Sequence, residues 1–193
     1  LTKLDGSMIR FVRLPNGEIV AKTKNSFDNN QVLLAMECYK NQNLEPFIKE
    51  TLDSGLAAIF ELTSPLNQIV IEYEKTQLTL IQLRNENTGE YISDLEMNNL
   101  VLKHNVKVVH DLELTIDMCI AMKGILNVEG WVLTLEDGQM LKIKTDEYCR
   151  LHGLLTNDLA RENLVMWMIL DEKIDDALSQ LKETDPRKKT LEL

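Results

Sequence analysis

Near one end of the chain, Lys3-Leu4-Asp5-Gly6-Ser7 sets an amine two residues from a carboxylate and three from a position without a side chain. A neutral lysine amine is a nucleophile, and burial or neighbouring cations favour the neutral form. The K-x-D-G tetrad alone is a weak signal, arising by chance in roughly a few per cent of chains this long. A second constellation gives it weight. Glu129-Gly130-Trp131-Val132 enters a hairpin, Glu136-Asp137-Gly138 turns it, and Leu141-Lys142-Ile143-Lys144 returns. Lys142 and Lys144 are two apart on a strand, so both ammonium groups leave one face, and two parallel cations make a phosphate clamp. A two-residue Asp-Gly loop would put Trp131 on that face, whereas a three-residue loop ending on a left-handed Gly138 would put Val132 there. Both registers are open at this point. An isolated K-x-K is a solvated sheet face roughly nine times in ten, and a lone Glu129 is as often a surface carboxylate. What outweighs these readings is the joint occurrence, in order, of K-x-D-G, a strand-borne Glu61, E-G-x-V and K-x-K.

The elements that must position these residues follow from local pattern. Residues 8–14 and 18–24 flank Pro15-Asn16-Gly17 and predict a hairpin, since Asn-Gly supplies positive φ. Residues 30–42 carry Val32, Leu33, Ala35 and Met36 at helical spacing, and 45–52 predict a second short helix before Gly55. Three β-prone runs follow, 57–62, 68–73 and 77–84, with turns at Ser64-Pro65-Leu66-Asn67 and Glu74-Lys75. A polar loop at 85–90 leads to a helix near 93–102, a short strand at 106–109 and a helix at 115–126. After the 129–144 hairpin the pattern is helical from Asp146, with an amphipathic stretch over 159–181 ending before Pro186 and a charged tail at 186–193.

Composition bounds the function. A chain of 193 residues can bury a sizeable core without staples. No apolar run is long enough to span a bilayer and no signal-peptide pattern opens the chain, so a cytoplasmic location is expected. Cys38, Cys119 and Cys149 are widely spaced and without C-x-x-C, which suggests neither a disulfide framework nor a zinc site, but reduced, partly buried thiols. The chain opens on Leu1, as a fragment or trimmed chain would. Net charge is −10, so any nucleic-acid contact must be a local basic patch. Lys3, Arg10, Arg13, Lys22 and Lys24 supply one such cluster, while acidic residues dominate 171–185.

Taken together, these motifs resemble the nucleotidyltransferase domain of the T-even phage RNA ligase 1 family, within the superfamily of ATP-dependent ligases and RNA capping enzymes. Lys3-Leu4-Asp5-Gly6-Ser7, led by Leu1-Thr2, resembles the first motif, and Ala21-Lys22-Thr23-Lys24 the basic stretch after it. The segment from Phe60-Glu61-Leu62-Thr63-Ser64 through Pro65-Leu66-Asn67-Gln68-Ile69-Val70 resembles the third motif. Leu78-Thr79-Leu80-Ile81 and Asn87-Thr88-Gly89-Glu90-Tyr91 continue the match. Glu129-Gly130 and Lys142-Ile143-Lys144-Thr145-Asp146-Glu147-Tyr148 complete it, with Asp175-Asp176 at a matching distance.

The resemblance implies an α+β fold, an antiparallel-sheet nucleotidyltransferase of the ATP-grasp-like or DNA ligase-like adenylation type, with flanking helices and a C-terminal helix. It implies one nucleotidyltransferase domain over residues 1–185 and a charged tail over 186–193. It makes Lys3 the nucleophile that takes AMP from ATP, with Lys142 and Lys144 holding the α-phosphate. Glu61 and Glu129, joined by Asp5, would serve Mg²⁺ or the ribose hydroxyls. Ile81 and Val132 would sandwich adenine, and Gly6, Lys22, Lys24 and Tyr148 would line the nucleotide or the RNA 5′-phosphate. Asp175 and Asp176 would orient part of the site. AMP would then pass to an RNA 5′-phosphate and be displaced by a 3′-hydroxyl, in RNA or tRNA repair. Family members also have residues upstream of the lysine motif and a helical domain downstream. Rival readings are a DNA ligase, a capping guanylyltransferase, or an inactive nucleotide- or RNA-binding module; Thr145-Asp146-Glu147-Tyr148 and Ser64-Pro65-Leu66-Asn67 favour the RNA ligase branch.

Overall fold

A computed structural model describes residues 1–135 and 139–156. Its chain divides into two compact units, one of Leu1–Gln68 with Glu72–Leu112, the other of Ile69–Ile71 with Glu113–Leu193.

Alternation builds the sheet of the first unit. A two-residue strand β1 (Thr2–Lys3) precedes β2 (Ser7–Arg13), in which Ile9 and Phe11 are buried while Met8, Arg10 and Val12 point the other way. The chain turns through Pro15-Asn16-Gly17 into β3 (Ile19–Lys22). That loop is closed by the Leu14 carbonyl, which accepts from the Gly17 N–H, and Gly17 takes φ 86°, a conformation open to a residue without Cβ. β2 pairs on its other side with β4 (Leu56–Thr63), and β4 with β5 (Gln77–Asn85), giving an antiparallel sheet of order β3-β2-β4-β5.

Helices cover one face of that sheet. α1 (Asn30–Asn41) starts at Asn29, whose side chain accepts from the Val32 N–H, and α2 (Glu45–Asp53) starts with Pro46 in its first turn. Their Val32, Ala35, Cys38, Phe47 and Ile48 pack on Ile9, Phe11, Phe60, Leu62, Leu78 and Leu80 in one apolar cluster. Phe60 meets Phe11 and Phe47 edge-on, with ring centroids 5.8 Å and 6.3 Å away. α3 (Asp94–His104) opens with a reciprocal cap between Ser93 and Glu96 and adds Met97 and Val101 to the same core. The opposite face carries the polar half of each strand, including Arg10, Lys22, Glu61 and Thr79.

In the second unit, α4 (Ile116–Ala121) and the hairpin β6 (Gly130–Thr134) and β7 (Met140–Lys144) contribute to a smaller core of Cys119, Trp131 and Leu133, and α5 (Asp146–Thr156) follows β7. The mixture of helices and antiparallel sheet is the α+β class expected. Cys38 and Cys119 are buried and burial pushes both thiols up, while Cys149 is exposed. No helix among the described residues is long and apolar enough to cross a membrane.

Three elements differ from expectation. The apolar run 68–73 forms bends and no strand, because its Ile69–Ile71 leave the first unit and cluster with the second. The run 106–109 shrinks to a single parallel bridge between Val108 and Leu80, held by Leu80 N–H to the Lys107 carbonyl and Val109 N–H to the Leu80 carbonyl. The helix at 115–126 stops at Ala121: of its apolar residues only Cys119 is buried, Ile116, Met118 and Ile120 remain exposed, and short turn hydrogen bonds replace the ladder beyond. The 159–181 stretch, with Asp175 and Asp176, and the tail lie outside the described residues.

Candidate active site

In the first unit, the K-x-D-G segment is set by contacts that the sequence specifies locally. Lys3 is half-buried on β1, and the Thr2 N–H donates to the His110 carbonyl at 3.2 Å. Asp5 is 2% exposed, and its N–H donates to Tyr73 Oη at 2.9 Å. Gly6 passes so close to β4 that a Cβ would lie 2.2 Å from the Leu62 carbonyl oxygen, which excludes every side chain without movement of one strand. Lys3 and Asp5 are thereby fixed against the strand bearing Glu61. Glu61 lies on the sheet face away from the core, opposite Met8 on β2 and Thr79 on β5. Arg10 and Lys22 face each other across β2 and β3 on the same side, and Arg10 pairs with Glu86. Lys24 is exposed beyond the end of β3 and does not share this register.

Ile81 sits at an irregularity in the ladder. Ile59 pairs with Gln82 and Phe60 with Leu80, so Ile81 is the extra residue of a β-bulge, a device that re-aims a side chain. An open cavity of about 360 Å³ lies in this unit, walled by Thr2 and Leu4, which flank Lys3, and by Thr63, Gln77, Thr79 and His110, among others.

In the second unit, the register of the hairpin decides which residue accompanies the lysines. Val132 pairs with Lys142 and Gly130 with Lys144, while the Leu135 N–H donates to the Gln139 carbonyl at 2.8 Å. Three residues therefore separate the last pair, and Val132 shares the lysine face. Trp131 points to the other side, 4% exposed, against Cys119. Gly130 takes φ 148°, and a Cβ there would fall 2.0 Å from the Ile143 carbonyl oxygen, so the two strands approach only because this position is glycine. Glu129 is 3% exposed, with Oε1 3.2 Å from Lys144 Nζ. Lys144 Nζ also lies 4.6 Å from the ring centroid of buried Tyr148. Lys142 is exposed.

Thr145, in the sequence only part of the family resemblance, ties this cluster together. Its N–H donates to the Glu129 carbonyl at 3.0 Å, its hydroxyl donates to the Val128 carbonyl at 2.7 Å and accepts from the Tyr148 N–H at 3.2 Å. It caps α5 and joins Glu129, Lys144 and Tyr148 in one move; a threonine before Asp146-Glu147 at a strand end is a helix-cap signal.

Among the described residues no three His, Cys, Asp or Glu side chains gather as a closed metal cage. Mg²⁺ keeps waters and takes phosphate oxygens, needing only one or two carboxylates, and Glu61 on the polar sheet face is a donor of that kind.

An antiparallel sheet backed by helices, and a hairpin whose one face carries two lysines and an aliphatic residue, make up an α+β architecture. Naegleria gruberi RNA ligase with PPi shares that fold at a TM-score of 0.60 and 21% identity, covering 78% of this chain and 50% of that chain. A variant of the same protein with ATP and Mn gives 0.62 and 21% over the same shares. Residues 1–148 match the family described as RNA ligase. A Thermovibrio ammonificans protein named "Putative RNA ligase" is 31% identical over 166 residues, 80% of this chain and 42% of the relative. The chain belongs to the RNA ligase family, and it spans less than half the length of that curated relative and about half of the Naegleria chains.

Proposed function

We propose that residues 1–185 are the nucleotidyltransferase part of an ATP-dependent RNA ligase acting in the cytoplasm on broken RNA ends. The observation that carries the reading is the face shared by Val132, Lys142 and Lys144, with buried Glu129 against one of the two cations. It offers an apolar surface for a base beside two positive charges for phosphate, from a chain whose overall charge is −10.

In the proposed reaction, Lys3 Nζ attacks the α-phosphorus of ATP; a P–N bond forms, the bond to pyrophosphate breaks, and the lysine loses its proton to solvent. An RNA 5′-phosphate oxygen then attacks the same phosphorus and releases Lys3. A 3′-hydroxyl finally attacks the RNA 5′-phosphorus, seals the phosphodiester and expels AMP. Lys142 and Lys144 take up the charge that moves onto the α-phosphate oxygens. Ile81 and Val132 are assigned to adenine, and Gly6, Lys22, Lys24 and Tyr148 to the nucleotide or the 5′-phosphate, with Asp175 and Asp176 in support. Asp5, Glu61 and Glu129 are assigned to Mg²⁺ or the ribose; when bound, the ion neutralises phosphate charge. Naegleria gruberi RNA ligase variants with ATP and Mn and with AMP and Mn support this ligand class.

Incubating the full-length protein with radiolabelled ATP and Mg²⁺ tests the proposal. Labelled protein is expected whose bond survives alkali and is cleaved on heating in acid, as a P–N bond is, and Lys3→Ala should form none. GTP should label poorly, and RNA ends should be joined in preference to DNA ends. Absence of label on the parent protein would overturn the reading.

A further inference from the structure

The loop after β3 spends its hydrogen bonds on displaying an aromatic ring. Thr23 N–H donates to the Ser26 carbonyl at 2.9 Å, and Ser26 N–H donates back to Thr23 Oγ1 at 3.1 Å. The Ser26 hydroxyl accepts from the Asp28 N–H at 2.9 Å and donates to the Asp28 carbonyl at 3.0 Å. Asn29, the cap of α1, donates through Nδ2 to Thr23 Oγ1 at 3.3 Å. Between these tied residues stands Phe27, 55% exposed, although the core of the same unit takes Phe11, Phe47 and Phe60 almost completely. A hydrophobic side chain left in water on a rigid frame has been placed there at a cost in solvation.

Its surroundings name the kind of ligand. Lys22 Nζ stands 5.2 Å from the Phe27 ring centroid, and Lys24 is exposed two residues further on. Among the described residues neither lysine pairs with a carboxylate, unlike Lys49, Lys103, Lys123 and Lys144. Residues 22–28 thus hold two lysines against one aspartate in a chain of net charge −10. Aromatic faces beside free cations are how proteins hold single-stranded nucleic acid: the ring stacks on a base and the ammonium groups meet the flanking phosphates. The loop is also tied to the K-x-D-G segment. Gln31 Nε2, in the first turn of α1, donates to Asn67 Oδ1 at 3.1 Å, and Asn67 Nδ2 donates to Ser7 Oγ at 2.9 Å.

We propose that Phe27 is a stacking platform for a base at the 5′-phosphate end of single-stranded RNA, with Lys22 and Lys24 on the adjoining phosphates. This rests on the ligase reading for its substrate class.

The test uses the full-length protein and a 5′-phosphorylated single-stranded RNA oligonucleotide, with binding read by fluorescence anisotropy and sealing by gel. Phe27→Ala should weaken binding roughly tenfold, as loss of one stacked base does, and slow sealing at subsaturating RNA. Phe27→Leu, which keeps an apolar side chain without a π face, should be weakened similarly. Phe27→Trp should bind as the parent does and show tryptophan quenching on RNA addition beyond that of the parent. Labelling of Lys3 by ATP should be the same in all three variants. Equal RNA affinity for parent and Phe27→Ala would overturn the proposal, as would full binding by Phe27→Leu, which would point to a generic apolar contact such as a protein partner. Loss of ATP labelling in Phe27→Ala would overturn it too, by moving the ring to the nucleotide site or the fold. Failure of the ligase reading shows elsewhere, as a parent protein that takes no label.

Discussion

A carboxylate that is 3% exposed is tolerable only where something opposes its charge, and Glu129 has the Lys144 ammonium at 3.2 Å. Lys144 therefore has two tasks that a substitution can separate. Removing its charge in Lys144→Met should cost about 1–3 kcal/mol of stability, below the value for a fully buried pair because Lys144 is partly exposed. Adding Glu129→Gln should return most of that loss, since the neutral amide no longer asks for a cation. Neither variant should regain nucleotidyl transfer if the lysine also holds phosphate. Urea unfolding of the two single variants and the double variant, set beside ATP labelling, measures both tasks; additive stability losses would show that the two side chains do not act on each other. Lys142 is exposed, with no carboxylate partner among the described residues, so Lys142→Met should spare stability to within about 0.5 kcal/mol and lower only activity.

Between elements, Glu50 of α2 receives both Lys103 at 2.7 Å and His104 at 2.6 Å from the end of α3. These two hydrogen bonds, Lys103 first, hold the Glu50 carboxyl below the ordinary glutamate range. A pKa depressed on folding contributes stability that is present above the unfolded value, about 4.3, and is lost as pH falls through the lower folded value. Glu50→Gln should therefore lower Tm at neutral pH, and the gap should close on acidification below that value; a gap constant across the range would mean the glutamate acts by packing alone. Much at this scale was legible in the residues. Asn16-Gly17 marked the first hairpin, alternation put Lys142 and Lys144 on one face, and helical pattern placed α3 near 93–102. The bulge at Ile81 was legible but unread: the buried leucines Leu78, Leu80 and Leu83 break the period of two. The choice between Trp131 and Val132 was not legible, because it hangs on one residue of loop length that strand composition does not encode. The run at 68–73 misled because β propensity describes a fit to a neighbouring strand, and Ile69–Ile71 cluster with residues far along the chain.

At the scale of the whole molecule, a net charge of −10 would repel RNA if charge acted at a distance. Salt decides otherwise: at 0.1 M the Debye length is about 10 Å, so an RNA phosphate responds to the cations beside it and little to acidic residues far around the surface. Under the proposed function, affinity for RNA should then come from few ion contacts and depend on salt in proportion to their number. For single strands each neutralised phosphate contributes about 0.7 to the slope of log affinity against log salt. If Lys22 and Lys24 each meet one phosphate, the double variant Lys22→Ala/Lys24→Ala should reduce the magnitude of that slope by about 1.4. The Phe27→Ala variant should lower affinity with the slope unchanged, because stacking releases no counterions. Titrations of single-stranded RNA between about 50 and 200 mM salt distinguish the two. A slope that stays put in the lysine variant would place the phosphate contacts elsewhere on the protein, and a slope that falls in Phe27→Ala would mean the ring acts by positioning Lys22 and not by holding a base.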